Sequence, residues 1–300
     1  MNLLITGGTG FVGTTVVRRL IMSGHTVYVL TRGGANSNRE CVYIQGSIES
    51  PDLIDLLKKH CKTLDGIVHL ATCRESTTVM DFMNTNCLGV VTLLKLAEAF
   101  SVGRFVNVST ISVIGKPISV PINENHPAIP NTIYQASKLL AENLLHNKTI
   151  NKTSAVSLRI TAPIGENMPE GRFLRQIIKK AITHTPIHIF GSGARIQNYV
   201  DVEDVSTSIL LALNSTVQGP ILIGGEHSYS NNEVVRKVLL ELDSRSRIEY
   251  LVPLGADDND NWHVDIGMAR NLLSYQPHHS LSDTIRRIAI MEKHENISFE

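Results

Sequence analysis

Tyr134 and Lys138 stand four residues apart in the stretch Tyr134-Gln135-Ala136-Ser137-Lys138. On a helix that spacing puts both side chains on one face. A free phenol titrates near ~10 and exchanges protons poorly at neutral pH. A neighbouring ammonium favours the phenolate and lowers that value. The pair could then pass a proton to or from a carbinol or carbonyl oxygen. Tyr and Lys recur at this spacing by chance, so the meaning of the pair depends on what the rest of the chain can hold beside it.

The second chemical element is the turn Thr6-Gly7-Gly8-Thr9-Gly10-Phe11-Val12-Gly13. Residues without a Cβ let backbone approach a pyrophosphate, and a helix N-terminus offers free N–H groups and partial positive charge. The turn follows an apolar run, residues 2–6, that reads as a strand, and precedes a helix read over 14–23 and stopped at Gly24. In that setting the glycines predict a dinucleotide site. A carboxylate at the end of the next strand, 26–31, would grip the ribose hydroxyls of NAD. The chain carries Thr31-Arg32-Gly33 there instead. Arg32 suits the 2′-phosphate of NADP, so NADP is the expected cofactor and NAD the alternative.

These residues need an alternating scaffold. Further strands fit 42–45, 66–71, 104–108 and 154–160, with helices over 51–60, 86–100 and 132–147. Strands apolar along their whole length predict a parallel sheet covered on both faces. Past about residue 165 the alternation becomes irregular. Helices fit 171–183, 202–213 and 231–242, and short strands fit 187–190 and 221–223.

Bulk properties exclude little but agree. In 300 residues, 42% hydrophobic and 19% charged, Lys+Arg equals Asp+Glu at 28 each. A net charge of zero gives no electrostatic footprint for nucleic acid or an anionic membrane. Cys41, Cys61, Cys73 and Cys87 show no C-x-x-C spacing, which predicts reduced thiols in a cytoplasmic protein. No run is long and apolar enough to span a bilayer, and no secretory leader is evident. His184, His188, His278 and His279 form no ligand set, so no metal is expected. Asp257, Asp258 and Asp260 read as a solvated loop, and Trp262 as core packing.

Taken together, the motifs resemble the extended short-chain dehydrogenase/reductase family, in its nucleotide-sugar epimerase/dehydratase/reductase branch. Residues 6–13 are similar to its TGxxGxxG turn, and Tyr134 and Lys138 to its YxxxK pair. Residues 65–71, 86–89, 108–115, 158–159, 191–193 and 200–204 resemble further landmarks. The resemblance implies a Rossmann-type doubly wound α/β sheet with a smaller mixed α/β C-terminal substrate domain. It places the dinucleotide domain at 1–165, with residues 195–213 returning to it, and the substrate domain at 166–300. Thr110 would bond the substrate oxygen beside Tyr134, and Lys138 would also order the nicotinamide ribose. Gly7, Gly10, Phe11, Val12, Gly13, Arg32, Ser47, Ile48, Leu70, Ala71, Tyr134 and Lys138 would bind cofactor. Ser109, Ser112, Asn86 and Arg195 would face substrate. The chain departs from the pattern at Ile111-Ser112, where sugar dehydratases carry Asp-Glu, and at Gln197, where an arginine is expected near the substrate nucleotide.

The expected activity is NADP-dependent reduction of a nucleotide-activated 4-keto sugar with Tyr134 as proton donor. A nucleotide-sugar epimerase holding NAD tightly is the alternative, and a non-catalytic dinucleotide sensor the third reading. The resemblance also implies a homodimer built as a four-helix bundle from the segments at 86–100 and 134–147, with Val91, Leu94, Leu140 and Leu144 among its apolar residues.

Overall fold

A computed structural model describes residues 1–33, 40–147, 153–251 and 260–297. Asp257 and Asp258, expected in a solvated loop, lie outside these residues. The chain runs β1 (Asn2–Thr6), α1 (Phe11–Met22), β2 (Thr26–Thr31), β3 (Val42–Gln45), α2 (Leu53–His60), β4 (Gly66–His69) and α3 (Val79–Phe82). A π-helical turn, Met83–Leu88, leads into α4 (Gly89–Ala99), β5 (Arg104–Thr110), a 3-10 turn at Ile111–Ile114, α5 (Ile133–His146) and β6 (Ser154–Ile160). Then come β7 (Ala162–Ile164), α6 (Phe173–Ile182), β8 (Ile187–Phe190), β9 (Ile196–Asp201), α7 (Val202–Leu213) and β10 (Gly219–Ile223). The chain closes with β11 (Ser228–Ser230), α8 (Asn231–Glu241), β12 (Ile248–Leu251), α9 (Gly267–Leu273) and α10 (Leu281–Ile297).

Seven strands form one parallel sheet in the order β10-β6-β5-β4-β1-β2-β3. Leu3, Leu4 and Ile5 of β1 are fully buried because helices cover both faces. On one face Val16, Val17 and Leu20 of α1 join Val205, Ile209 and Ala212 of α7 in a single core with Leu3 and Ile5. On the other, Leu53 and Leu57 of α2, Leu93 and Leu96 of α4, and Ala141 and Leu145 of α5 pack with Leu4 and Ile67. This is the expected doubly wound architecture. The strand order reverses at β1, between β4 and β2. A crevice opens at the carboxyl ends of strands at such a switch point, and ligands bind there in sheets of this type.

The smaller part contains a mixed three-stranded sheet, β11-β9-β7, and a parallel pair, β12-β8. Its own core gathers Leu174, Ile177 and Ile178 of α6, Val234, Val235 and Val238 of α8, and Ile285 and Ile288 of α10. The chain returns to the large sheet farther than residue 213, since β10 pairs with β6 through Ile223.

Two local departures have physical causes. Helix α1 starts at Phe11 rather than 14, because Gly10 is its extended N-cap (φ −82°, ψ 176°). The helix expected over 86–100 begins upstream at Val79, where Thr78 caps it by accepting from the Asp81 N–H. It then widens into the π turn that carries Asn86 and Cys87 inward, each about 2% exposed.

Candidate active site

The glycine turn leaves β1 and is shaped by close backbone contacts. Gly7 has φ +72°, and a Cβ on it would lie 2.5 Å from the Ala71 amide nitrogen. A Cβ on Gly13 would lie 2.0 Å from the Gly7 carbonyl oxygen. The Gly10 amide donates to Gly7 O at 3.1 Å and closes the turn. Gly10 brings no side-chain cap to α1, and the first amides of a helix have no carbonyl of their own helix to bond. Those free donors, a backbone surface clear of Cβ atoms and the helix dipole together fit a dinucleotide pyrophosphate.

Above the turn lies a cavity of about 660 Å³. Gly7, Gly10, Phe11, Val12, Gly13, Arg32, Ser47, Ile48, Leu70, Ala71, Tyr134 and Lys138 all line it, so every residue expected at the cofactor reaches one space. Thr110, Ser109, Ser112 and Arg195 line it too.

The catalytic candidates come from two adjacent elements. β5 ends at Thr110, whose hydroxyl accepts from the Ser112 amide at 3.2 Å and lies 3.0 Å from Ser112 Oγ. Helix α5 begins under the Thr132 cap, which accepts from the Gln135 N–H. This puts Tyr134 in its first turn and Lys138 one turn deeper. Tyr134 is partly buried in the cavity wall, with Lys138 behind it at 3% exposure.

Burial pushes the Tyr134 phenol above its ordinary value, and this outweighs the opposing pull of Arg74, Thr72, Arg172 and Thr110. This corrects the expectation of a phenol lowered by the Lys138 ammonium. The Lys138 Nζ donates to the Val108 carbonyl at 2.8 Å, and the cations felt by the phenol are the two arginines. Without ligands the phenol is therefore neutral at pH 7, the form that donates a proton.

Lys138 itself is pulled down to about 8 by burial, with Glu142 opposing the fall. Glu142 lies one turn further along α5 and is 2% exposed. Its carboxylate accepts from Ser109 Oγ at 2.5 Å and from Arg159 Nε and Nη2 at 3.1 and 2.7 Å. This buried network ties α5 to β5 and β6. It predicts a pH dependence: activity needing the charged ammonium falls as pH rises through about 8. Glu142 stabilises the charged form, so Glu142→Gln lets the proton leave at lower pH. The alkaline limb of kcat/KM against pH should move toward acid in the variant. An unmoved limb would assign it to another group.

His69, at the end of β4, is fully buried and bonded to Thr6 Oγ1 at 2.7 Å. Burial, then Lys138, depresses it to about 3, so it stays neutral and structural.

Two substrate expectations need correction. Asn86 does not reach the cavity. Its Oδ1 accepts from Cys73 N at 2.8 Å, and its Nδ2 donates to Cys73 O and Ser137 Oγ, each at 2.9 Å. It pins the loop after β4 to α5. Ser109 borders the cavity, but its hydroxyl is committed to Glu142. Trp262, expected in the core, lines the cavity while also packing against the Ile111–Ile114 turn. Arg74, Thr72, Glu49 and Arg172 line it as well and were not foreseen. Thr72 and Glu49 directly follow the expected Leu70-Ala71 and Ser47-Ile48, whereas Arg74 and Arg172 arrive from the loop after β4 and the N-cap of α6, where nothing local marks them. Among the described residues no cluster of His, Cys, Asp or Glu could hold a metal, and no helix is long and apolar enough to cross a membrane.

Residues 3–224 match the NAD dependent epimerase/dehydratase family. The chain is 27% identical over 330 residues to a UDP-glucose 4-epimerase of Lacticaseibacillus casei, covering 99% of this chain and 97% of that one. It is also 27% identical over 292 residues to UDP-glucuronic acid decarboxylase 1 of Danio rerio, covering 92% and 69%. The fold superposes with TM-score 0.88 on a UDP-glucose 4-epimerase of Thermotoga maritima solved with UDP-glucose, at 23% identity, over 99% of this chain and 100% of that one.

Proposed function

The chain belongs to the NAD dependent epimerase/dehydratase family, in the extended short-chain dehydrogenase/reductase branch whose members work on nucleotide sugars, and from that premise we propose that it exchanges hydride and proton at a ring carbinol of a nucleotide-activated sugar. The observation that carries this reading is the convergence of Thr110, Tyr134 and Lys138 on the one cavity that the glycine turn also lines. Bound dinucleotide supplies the hydride acceptor and donor. Tyr134 returns the hydroxyl proton at its Oη as the neutral phenol and takes it as the phenolate, the form that the positive charge of an oxidised dinucleotide beside it would favour, and Thr110 donates a hydrogen bond that strengthens as charge grows on the sugar oxygen. Lys138, whose Nζ is held by the Val108 carbonyl, would bond the ribose hydroxyls.

The net outcome we propose is epimerisation: oxidation of the carbinol, turnover of the keto sugar, and reduction on its other face. Supporting it is similarity to a 4-epimerase along nearly the whole of both chains. Glu49 is the one acid among the described cavity-lining residues, and its carboxylate accepts from Thr85 Oγ1 at 2.9 Å. Ile111 and Ser112 stand where a dehydratase would place its acids, which disfavours water elimination. Reduction of a 4-keto sugar with NADPH is the second reading, favoured by Arg32 at the cavity.

Product analysis separates the two. Epimerisation predicts that the purified protein interconverts nucleotide sugars with no added reductant and releases NAD on denaturation. Product formed only with stoichiometric NADPH oxidation would replace it with reduction. The dimer remains part of the proposal, with Leu88, Ile133 and Leu140 exposing apolar surface beside α4 and α5.

A further inference from the structure

We infer that Arg74 and Arg172 form a clamp for a carboxylate on the reacting sugar ring, so that the preferred substrate is a nucleotide-linked sugar acid rather than a neutral hexose. The inference rests on the proposed reaction at Tyr134 and names the substrate class of that site.

Both arginines line the cavity with Tyr134. The Arg74 guanidinium carbon stands 5.9 Å from the centre of the Tyr134 ring. Arg172 is half-buried at the start of α6, and Arg74 comes from the loop after β4. Burial and the neighbouring Arg74 both disfavour the Arg172 charge, so the two guanidiniums repel each other across the wall. Neither forms an ion pair with a carboxylate among the described residues, although Glu75 is near enough to be felt by Arg172. Two like charges held together with no close ion pair, and only the more distant Glu75 acting on Arg172, leave room for an anion. A carboxylate would fill it, since guanidinium binds such groups bidentately.

Position argues for the ring rather than the diphosphate. Both arginines act on the phenol at the reacting carbon. A further cation, Arg195, lines the cavity from the segment entering β9 with Gln197 and Trp262, where it acts on Tyr199. The diphosphate would therefore lie toward Arg195, and the pair at Tyr134 would be surplus to a neutral sugar.

The test measures dissociation constants of UDP-glucuronic acid and UDP-glucose by calorimetry, on wild type, Arg74→Gln and Arg172→Gln. Arg74 is on the surface, so its variant keeps the test open if Arg172→Gln fails to fold. The wild type should prefer the acid roughly 10- to 100-fold, and each variant should bring that ratio toward one. Equal wild-type affinities, or a ratio unchanged while both ligands weaken together, would overturn the clamp and leave the proposed function standing. Failure of wild type to bind either ligand would remove the nucleotide-sugar reading and the clamp with it.

Discussion

Replacing Tyr134 with Phe should slow turnover by roughly 10²–10⁴-fold, the range associated with losing a general acid or base. The substitution removes one oxygen and keeps the ring that lines the cavity beneath Arg74. Packing therefore changes little, and dinucleotide should still saturate the variant. The loss should fall on kcat and kcat/KM together, because the proton moves only in the transition state. Thr110 and Lys138 would remain, and with them the hydrogen bond to the sugar oxygen and the hold on the ribose. Steady-state kinetics beside a dinucleotide titration checks this. Turnover within a few-fold of wild type would assign the proton to another group, with Thr72 and Thr110 the hydroxyls that bond the phenol.

The second large effect is expected at Gly13. A Cβ there would meet the Gly7 carbonyl oxygen at 2.0 Å and Gly8 Cα at 2.8 Å. Both obstacles are backbone, so no side chain can turn aside. Gly13→Ala must push α1 away from the turn that follows β1. Overpacking of a rigid contact costs about 1–3 kcal/mol and sometimes more. Moving the helix also displaces the amides that would hold the pyrophosphate. Dinucleotide affinity should fall by a factor of 100 or more, for which two lost charge-assisted hydrogen bonds are enough. A thermal melt and a fluorescence titration read the two consequences separately. Wild-type affinity in the variant would mean that the pyrophosphate lies elsewhere.

What the sequence made legible is local. The turn at 6–13 and the pair at 134 and 138 each lie within a few residues, and each needs only its own strand or helix to be placed. Apolar strands gave the parallel sheet for the same reason: burial on both faces leaves no polar alternation. The missed features depend on long-range placement. Arg172 and Trp262 belong to segments far along the chain that fold back over the carboxyl ends of the strands, and no spacing announces that. Asn86 was misread because its type suits a ligand contact, whereas the π turn buries it against Cys73 and Ser137. The direction of the Tyr134 shift was misread because helical spacing reveals a neighbouring lysine but not the depth of the phenol. Burial proved the stronger influence.

Charge in the buried network follows similar reasoning. Arg159 and Glu142 are 7% and 2% exposed, and the carboxylate has both oxygens committed to Ser109 and Arg159. A buried pair of this kind stabilises little against an apolar replacement, but removing one partner strands the other. Its value here lies in position. It fixes the helix that carries Tyr134 and Lys138 against the strand that carries Thr110.

The central claim is that hydride passes between a dinucleotide on the glycine turn and the sugar carbon beside Tyr134. Isotope transfer tests it most directly. The protein is loaded with dinucleotide deuterated at nicotinamide C4, supplied in reduced form, and mixed with the 4-keto nucleotide sugar. Mass and NMR analysis should find deuterium bonded to the ring carbon that carried the carbonyl, and Tyr134→Phe should slow its appearance. Binding of both ligands with no label reaching the sugar would contradict the account.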